Sequence, residues 1–143
     1  MSGFEPVDAI AYLDNTLTAD TVLQGLFGGT VSLYFNTAVR QPPPFYVTFT
    51  MPSSHDVNAV GGYRVMEPTM FHIEACGREV GYDVLRPIME RIEQLISVES
   101  VQFGSTWIGR FIRNNVFARP TEVVDGVRWF YLAGLYETVT FTV

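Results

Sequence analysis

The sequence predicts an α+β domain: a mostly antiparallel sheet of four to five strands, with N-terminal helices and one long amphipathic helix packed on one face. Apolar residues recur at helical spacing over residues 84–96, and elsewhere they alternate with polar residues as strands do. The turn dipeptide Asp125-Gly126 separates two such strand segments near the end. A chain of 143 residues without a repeat or linker predicts a single domain, residues 1–143.

Two helices are predicted first. Apolar residues recur near helical spacing at four positions: Val7, Ile10, Ala11 and Leu13. A second, short helix is predicted over residues 19–27, because Thr18 can cap it and Gly28-Gly29 can end it.

Three strands are predicted next, over residues 31–36, 45–51 and 63–76, because apolar and polar residues alternate there. The prolines at 42–44 supply no amide donors, so that stretch crosses between strands as a stiff connection. The polar, glycine-rich residues 53–62 predict a loop. In the third strand one face carries Phe71, Ile73 and Ala75, and the other carries Met70, His72, Glu74 and Cys76.

The strongest helical pattern, residues 84–96, places its apolar residues on one wide stripe, which predicts a helix lying on the sheet. Pro87 predicts either a start near Asp83 or a kink. Residues 107–117 predict one long strand. Residues 127–143 are long for a single strand, so Gly134 is expected to mark a bulge or bend.

Composition favours a protein that contacts other proteins. Aromatic residues make up 14% of the chain, and interfaces are enriched in them. The net charge of −6 argues against a surface that grips nucleic acid, and every basic residue is arginine. The single cysteine, Cys76, excludes an intrachain disulfide. Neither a signal peptide nor a membrane span is predicted, which places synthesis in the cytoplasm.

We find no catalytic constellation, and we expect neither an enzyme nor a bound metal or cofactor. His72 and Cys76 lie four residues apart on a strand, roughly 13 Å, which is too far for a thiolate–imidazole pair. His72 and Glu74 share a face and could supply two metal ligands, but no further ligand motif accompanies them. The glycine pairs lack the spacing of phosphate-binding loops.

Four segments resemble the tail terminator (tail completion) proteins of long-tailed bacteriophages and gene-transfer particles. They are residues 17–36, LTADTVLQGLFGGTVSLYFN, residues 42–50, PPPFYVTFT, residues 71–96, FHIEACGREVGYDVLRPIMERIEQLI, and residues 125–141, DGVRWFYLAGLYETVTF. Residues 53–62 and 97–104 carry no resemblance.

The resemblance implies a structural virion protein, made in the host cytoplasm and located at the neck end of the tail. Such proteins form a homo-oligomeric ring, usually a hexamer, on the tail tube. The ring ends tube polymerisation and joins the tail to the head connector or stopper protein. DNA passes through its lumen without specific binding, and no membrane takes part.

Candidate contact residues are polar or aromatic groups on predicted outward faces or in the 53–62 loop: Tyr34, Arg40, Tyr46, His55, Asn58, Arg110, Arg113 and Arg128. Two alternatives stay open. One is another head–tail connector or minor tail protein with a similar fold. The other is a small-molecule-binding or enzymatic α+β domain.

Overall fold

The computed structural model describes residues 5–37, 40–54, 57–58 and 64–142. Three helices and eight strands follow one another in these residues: α1 (Glu5–Thr18), α2 (Thr21–Leu26), β1 (Leu33–Phe35), β2 (Phe45–Ser54), β3 (Val57–Asn58), β4 (Arg64–Arg78), α3 (Tyr82–Ile96), β5 (Val101–Phe103), β6 (Thr106–Ile108), β7 (Ile112–Val124) and β8 (Val127–Thr142). None of these helices has the length and apolar character needed to cross a membrane.

The helices lie close to their predicted positions, but α2 is capped differently. Asp20, not Thr18, is its N-cap, and the Asp20 carboxylate accepts a hydrogen bond from the Leu23 amide at 2.9 Å. Gly28 and Gly29 follow the helix with positive φ, as a helix end ahead of a strand requires. α3 begins at Tyr82, so Pro87 lies inside the helix, beyond its first turn.

The sheet is built around β8. Its strand order is β1-β2-β4-β8-β6-β5, and β7 also pairs with β8. β7 and β6 therefore follow one another along the same edge of β8, since β7 pairs with residues 127–137 and β6 with residues 140–142. β3 is a short addition at the far end of β4.

The predicted fold class is wrong about the sheet. The main sheet has seven strands instead of four or five, and it is mixed, because β1 pairs parallel to β2. A parallel return normally needs a crossover of a dozen or more residues. Here β1 is only three residues long, so the chain has only a short distance to cover from the end of β1 back to the start of β2. The short connection that contains the 42–44 prolines is long enough for that distance.

The sheet curls around the helical layer into an open half-barrel. α1 contacts both β1 and β5, which stand at opposite ends of the strand order. The main core lies between this layer and the sheet. Its larger buried side chains are Leu13, Leu17, Leu23, Phe49, Phe71, Ile73, Leu85, Ile88, Ile92, Ile96, Phe111 and Tyr136.

Two local predictions about the last third are also wrong. Residues 107–117 do not form one strand, because residues 109–111 separate β6 from β7. Gly134 is not a bulge, since it pairs regularly with Ile73. A Cβ at residue 134 would lie 2.7 Å from Cε2 of Tyr136, so the glycine makes room for that ring.

Candidate assembly surface

β7 is a long strand with a single partner in the described part of the chain. It pairs with β8 alone, and nearly all of its 13 residues are exposed. Four of the nine large apolar side chains exposed among the described residues belong to β7: Ile112, Val116, Val123 and Val124. Exposed apolar residues concentrated on one element indicate a contact surface.

The backbone edge of β7 is poorly suited to pairing with another strand. Its register with β8 shifts between Arg113 and Asn115 and again between Arg119 and Glu122. Pro120, within the second irregular stretch, has no amide to donate. Bulges and proline are devices by which proteins block edge-to-edge pairing. The side chains of β7 are therefore better candidates for contacts than its backbone.

A groove runs between α3 and β7 on the helical side of the sheet, and we refer to it as the α3–β7 groove. Its most enclosed depression, about 230 Å³, is lined from α3 by Arg86, Met89, Glu90 and Glu93, and from the strands by Arg113, Val116, Leu132 and Tyr136. Two larger and more open depressions share Glu93 and extend the groove past Ser97 to Arg110 and Ile112. The lining is apolar at Met89 and Leu132 and charged along α3.

Ion pairs fix the charged side chains of the groove. Arg113 Nη1 lies 2.8 Å from Glu93 Oε2, which ties β7 to α3, and Arg86 Nε lies 2.7 Å from Glu90 Oε1. Burial raises the pKa of Tyr136 to about 12, with the charge of Glu93 adding to the rise, so this hydroxyl stays protonated.

The opposite face of the sheet holds a second cluster, the Arg119 network of Glu74, Arg119, Glu122 and Tyr131. Arg119 reaches from β7 across β8 to β4, where Nε and Nη2 donate to the two oxygens of the buried Glu74 carboxylate at 3.0 and 2.8 Å. On the way its guanidinium lies 3.8 Å from the centre of the Tyr131 ring. The network therefore connects the edge strand β7 to both β8 and β4 through side-chain contacts.

Glu122 completes the network. It accepts hydrogen bonds from Arg119 Nη1 at 3.0 Å and from the Tyr131 hydroxyl at 3.1 Å. Burial, followed by the hydrogen bond to Glu122, raises the pKa of Tyr131 to about 12. The hydrogen bond with Glu74 raises the pKa of Arg119, so this guanidinium keeps its charge.

Cys76 and His72 lie on this same face, but they are not arranged as a catalytic pair. They stand opposite Tyr131 and Leu135 of β8, four positions apart, and the His72 ring packs 5.7 Å from that of Phe117. Burial, with the charge of Glu74 second, raises the pKa of Cys76 to about 12, which keeps the thiol protonated. Among the described residues, no three His, Cys, Asp or Glu side chains are grouped as metal ligands.

Two pairs of the predicted contact residues are brought together by the structure. Arg110 and Arg113 both line the α3–β7 groove. Tyr34 and Tyr46 pack edge to face at 5.8 Å, and Tyr46 packs in turn on Trp129. Burial, followed by the charge of Cys76, raises the pKa of Tyr46. Both tyrosines are half-buried, so part of each ring supports its neighbour.

The other predicted contact residues are scattered. Arg40 is exposed ahead of β2. Arg128 is exposed at the start of β8, where its amide donates to Glu79 Oε1 at 2.7 Å. Asn58 pairs through its backbone with Arg64, and His55 lies outside the described residues.

Sequence reasoning missed the exposed apolar residues of β7 and the Arg119 network. One signal for the edge strand was available: Pro120 lies within a strand-like run, and proline in a strand is typical of an edge. No comparable signal linked Glu74 to Arg119, because the two are 45 residues apart.

The chain shares its fold with solved structures, although no protein-family model matches it and no curated protein matches it by sequence. One solved chain comes from the virion of a native gene transfer agent (GTA) particle. It superposes with a TM-score of 0.64 at 18% identity, and the match covers 89% of this chain and 91% of that chain. A second, whose name carries no functional description, gives a TM-score of 0.59 at 11% identity over 93% of this chain and 94% of that one. The chain therefore has the fold of a protein found in a gene transfer agent virion.

Proposed function

We propose that this protein is a structural component of a phage-like particle, and that within the particle it is the tail terminator. The observation that carries the proposal is the fold shared with a chain of a gene transfer agent virion over about nine-tenths of both chains. The sequence resemblance to tail terminators supports the finer assignment.

A terminator ring needs two different complementary surfaces on each subunit, because a cyclic assembly of more than two copies is built from head-to-tail contacts. The α3–β7 groove supplies one candidate surface, with apolar lining and paired charges. The Arg119 network holds β7 in place beside it. A preorganised surface loses less entropy on binding than a mobile one.

The same structure supports a role without bond-making chemistry. The conspicuous polar groups on the opposite face, Glu74, Arg119 and Cys76, are engaged with one another or buried. We propose that the protein acts by assembly with its own copies, with the tail tube protein and with the head connector. DNA then passes through the ring without specific binding, in keeping with the net charge of −6.

A tube-length assay tests the terminator role. Purified tail tube protein is polymerised with and without this protein, and tube lengths are measured by electron microscopy. We expect tubes to stop growing and to carry a ring at one end when the protein is present. Tubes of unchanged length without a ring would contradict the terminator role.

Mass spectrometry of purified particles tests the broader role. We expect the protein in every particle. Its presence in particles together with unchanged tube length would favour another head–tail connector or minor tail protein. Its absence from particles would overturn the structural role altogether.

A further inference from the structure

We propose that the α3–β7 groove of one subunit receives the exposed side of α1 and α2 of a second copy of this chain. We name that second surface the α1–α2 face and define it by Val7, Asp14, Thr18 and Val22. The contact is the subunit contact of the proposed ring, so it rests on the proposed function.

The α1–α2 face has the apolar residues that a groove would receive. Val7 is 58% exposed and Val22 is 50% exposed, although both belong to helices that bury their other side in the core. Val7, Asp14 and Thr18 lie at positions i, i+7 and i+11, so they form one stripe along α1. Val22, near the start of α2, is the second exposed valine of these two helices.

The α1–α2 face also carries a negative charge, that of Asp14. Residues 1–39 contain four acidic residues and no arginine, lysine or histidine. Asp20 is paired with Arg91 of α3 at 2.7 Å, and Asp8 accepts a hydrogen bond from Thr106. Asp14 is exposed at the centre of the stripe. A partner surface for this face should therefore be apolar and carry a net positive charge.

The α3–β7 groove fits that description. Three arginines and two glutamates border it, namely Arg86, Arg110, Arg113, Glu90 and Glu93. The two glutamates are already paired with Arg86 and Arg113, and Arg110 is exposed at one end. Val116 and Met89 supply apolar lining. An apolar groove with a charged rim is the form that receives an amphipathic helix.

The two surfaces lie on different parts of the subunit, which makes the contact head-to-tail. α1 and α2 pack against the side of α3 that carries Arg91. The groove is bordered by a different side of α3, which carries Arg86, Glu90 and Glu93, and by β7. Such a contact repeats from copy to copy, and it gives a closed ring when the rotation between neighbouring copies divides a full turn evenly. The irregular edge of β7 disfavours the competing contact, a symmetric pairing of two β7 strands.

A charge-swap experiment tests the contact. Asp14→Arg and Arg110→Glu are prepared as separate chains, and native mass is measured for each alone and for an equimolar mixture. Each variant alone places like charges together, so we expect self-association to weaken about tenfold or more at low salt. In the mixture every contact can be complementary if the two chains alternate. We expect the mixture to regain assembly, in rings with an even number of subunits.

Arg78→Glu is the matched control, because it makes the same charge change at an exposed residue at the end of β4, outside both surfaces. We expect it to assemble like the unaltered protein. Thermal unfolding of each variant checks that the fold is kept. Variants that assemble alone as well as the unaltered protein, or a mixture no better than its components, would overturn the proposal. So would an unaltered protein that stays monomeric both in solution and on tail tubes.

Cysteine cross-linking gives an independent test. Cys76 is 1% exposed, so an introduced surface cysteine is the reactive one. Val7→Cys and Val116→Cys chains are mixed and oxidised. We expect a disulfide-linked dimer containing one of each. A dimer formed by Val116→Cys alone would indicate symmetric β7 contacts and overturn the proposal.

The proposed function and this contact fail in different ways. If the protein ends tubes but the mixture of swapped variants does not recover, the ring uses another contact. If the mixture recovers but the protein is absent from particles, the contact stands and the virion role fails.

Discussion

β7 and β8 are joined by the two-residue turn Asp125-Gly126, yet they have very different surroundings. β8 pairs with β4, β6 and β7 and packs against α1 and α3, and seven of its described residues are buried. In the part of the chain that the structure describes, β7 pairs with β8 alone, and it is exposed along most of its length. The central strand supplies the core, while the edge strand supplies surface.

The difference shows how a small domain can combine a stable fold with a contact surface. Burial in the centre provides the free energy of folding, so the edge strand can carry apolar residues outside the core. β7 is kept in place by a few specific contacts, mainly the Arg119 network and the Arg113–Glu93 pair. The contrast between centre and edge can be tested by substitution.

The largest expected effect is the difference in lost stability between a substitution in the core and one on the edge strand. Ile92→Asp should prevent folding, with a loss of about 4 kcal/mol or more, because it buries an unpaired charge beneath α3 at a fully buried position. Val123→Asp, at a residue 65% exposed on β7, should change stability by less than about 0.5 kcal/mol. Chemical denaturation followed by circular dichroism measures both. Similar losses in the two variants would show that β7 belongs to the core.

The Arg119 network should be worth less than the core but more than a surface ion pair. Arg119→Ala leaves the buried Glu74 carboxylate without its main partner, which should cost about 1–3 kcal/mol. The control Arg86→Ala breaks a pair whose side chains are 75% and 55% exposed, and it should cost less than about 0.5 kcal/mol. A double-mutant cycle with Glu74→Gln isolates the coupling. A coupling energy near zero between Arg119 and Glu74 would mean that their ion pair does not stabilise the position of β7.

Gly134→Ala should destabilise β8 by crowding the Tyr136 ring. The added Cβ would lie 2.7 Å from Tyr136 Cε2 in a packed region, a misfit that should cost about 1–3 kcal/mol. The same substitution in a Tyr136→Leu background should cost little, since the ring is gone. An equal loss of stability in both backgrounds would show that the alanine disturbs the backbone of β8 and not the Tyr136 ring.

The smallest effect is pH dependence at the α2–α3 contact. The hydrogen bond from Arg91, the main cause, lowers the pKa of Asp20 below its ordinary value of 3.8. A lowered folded-state pKa gives stability that is present above the unfolded value and lost as pH falls through the folded one. Asp20→Asn can still cap α2, so its stability difference from the unaltered protein should be constant above about pH 5 and shrink below about pH 4. A difference that grows on acidification would contradict this.

The elements predicted correctly from the sequence are mainly those with a regular spacing of apolar residues. α3 and the two faces of β4 follow from apolar residues at regular spacing, and the final hairpin follows from Asp125-Gly126. β5 is three residues long, too short to show an alternation, and the single strand predicted over residues 107–117 covers parts of both β6 and β7. The predicted strand number was therefore too low. The parallel pairing of β1 with β2 depends on a connection whose direction no local pattern records.

The candidate surface was only partly predictable for the same reason. Arg110 and Arg113 were chosen as large polar groups on a predicted strand, and both do line the groove. The groove itself is formed by α3 and β7, which tertiary packing brings together. The Thr18 cap failed because Thr18 and Asp20 are both good N-cap residues only two positions apart, and a helix boundary is rarely predicted that closely.

The two irregularities of β7 also bear on solubility before assembly. Between them only Asn115–Arg119, five residues, keeps a regular ladder with β8. Amyloid-type stacking typically uses uninterrupted segments of about six or seven residues with few charges. The exposed valines therefore belong to a strand whose regular segment is shorter than fibril formation typically requires. The apolar side chains of β7 thus stay exposed without an uninterrupted strand edge beside them.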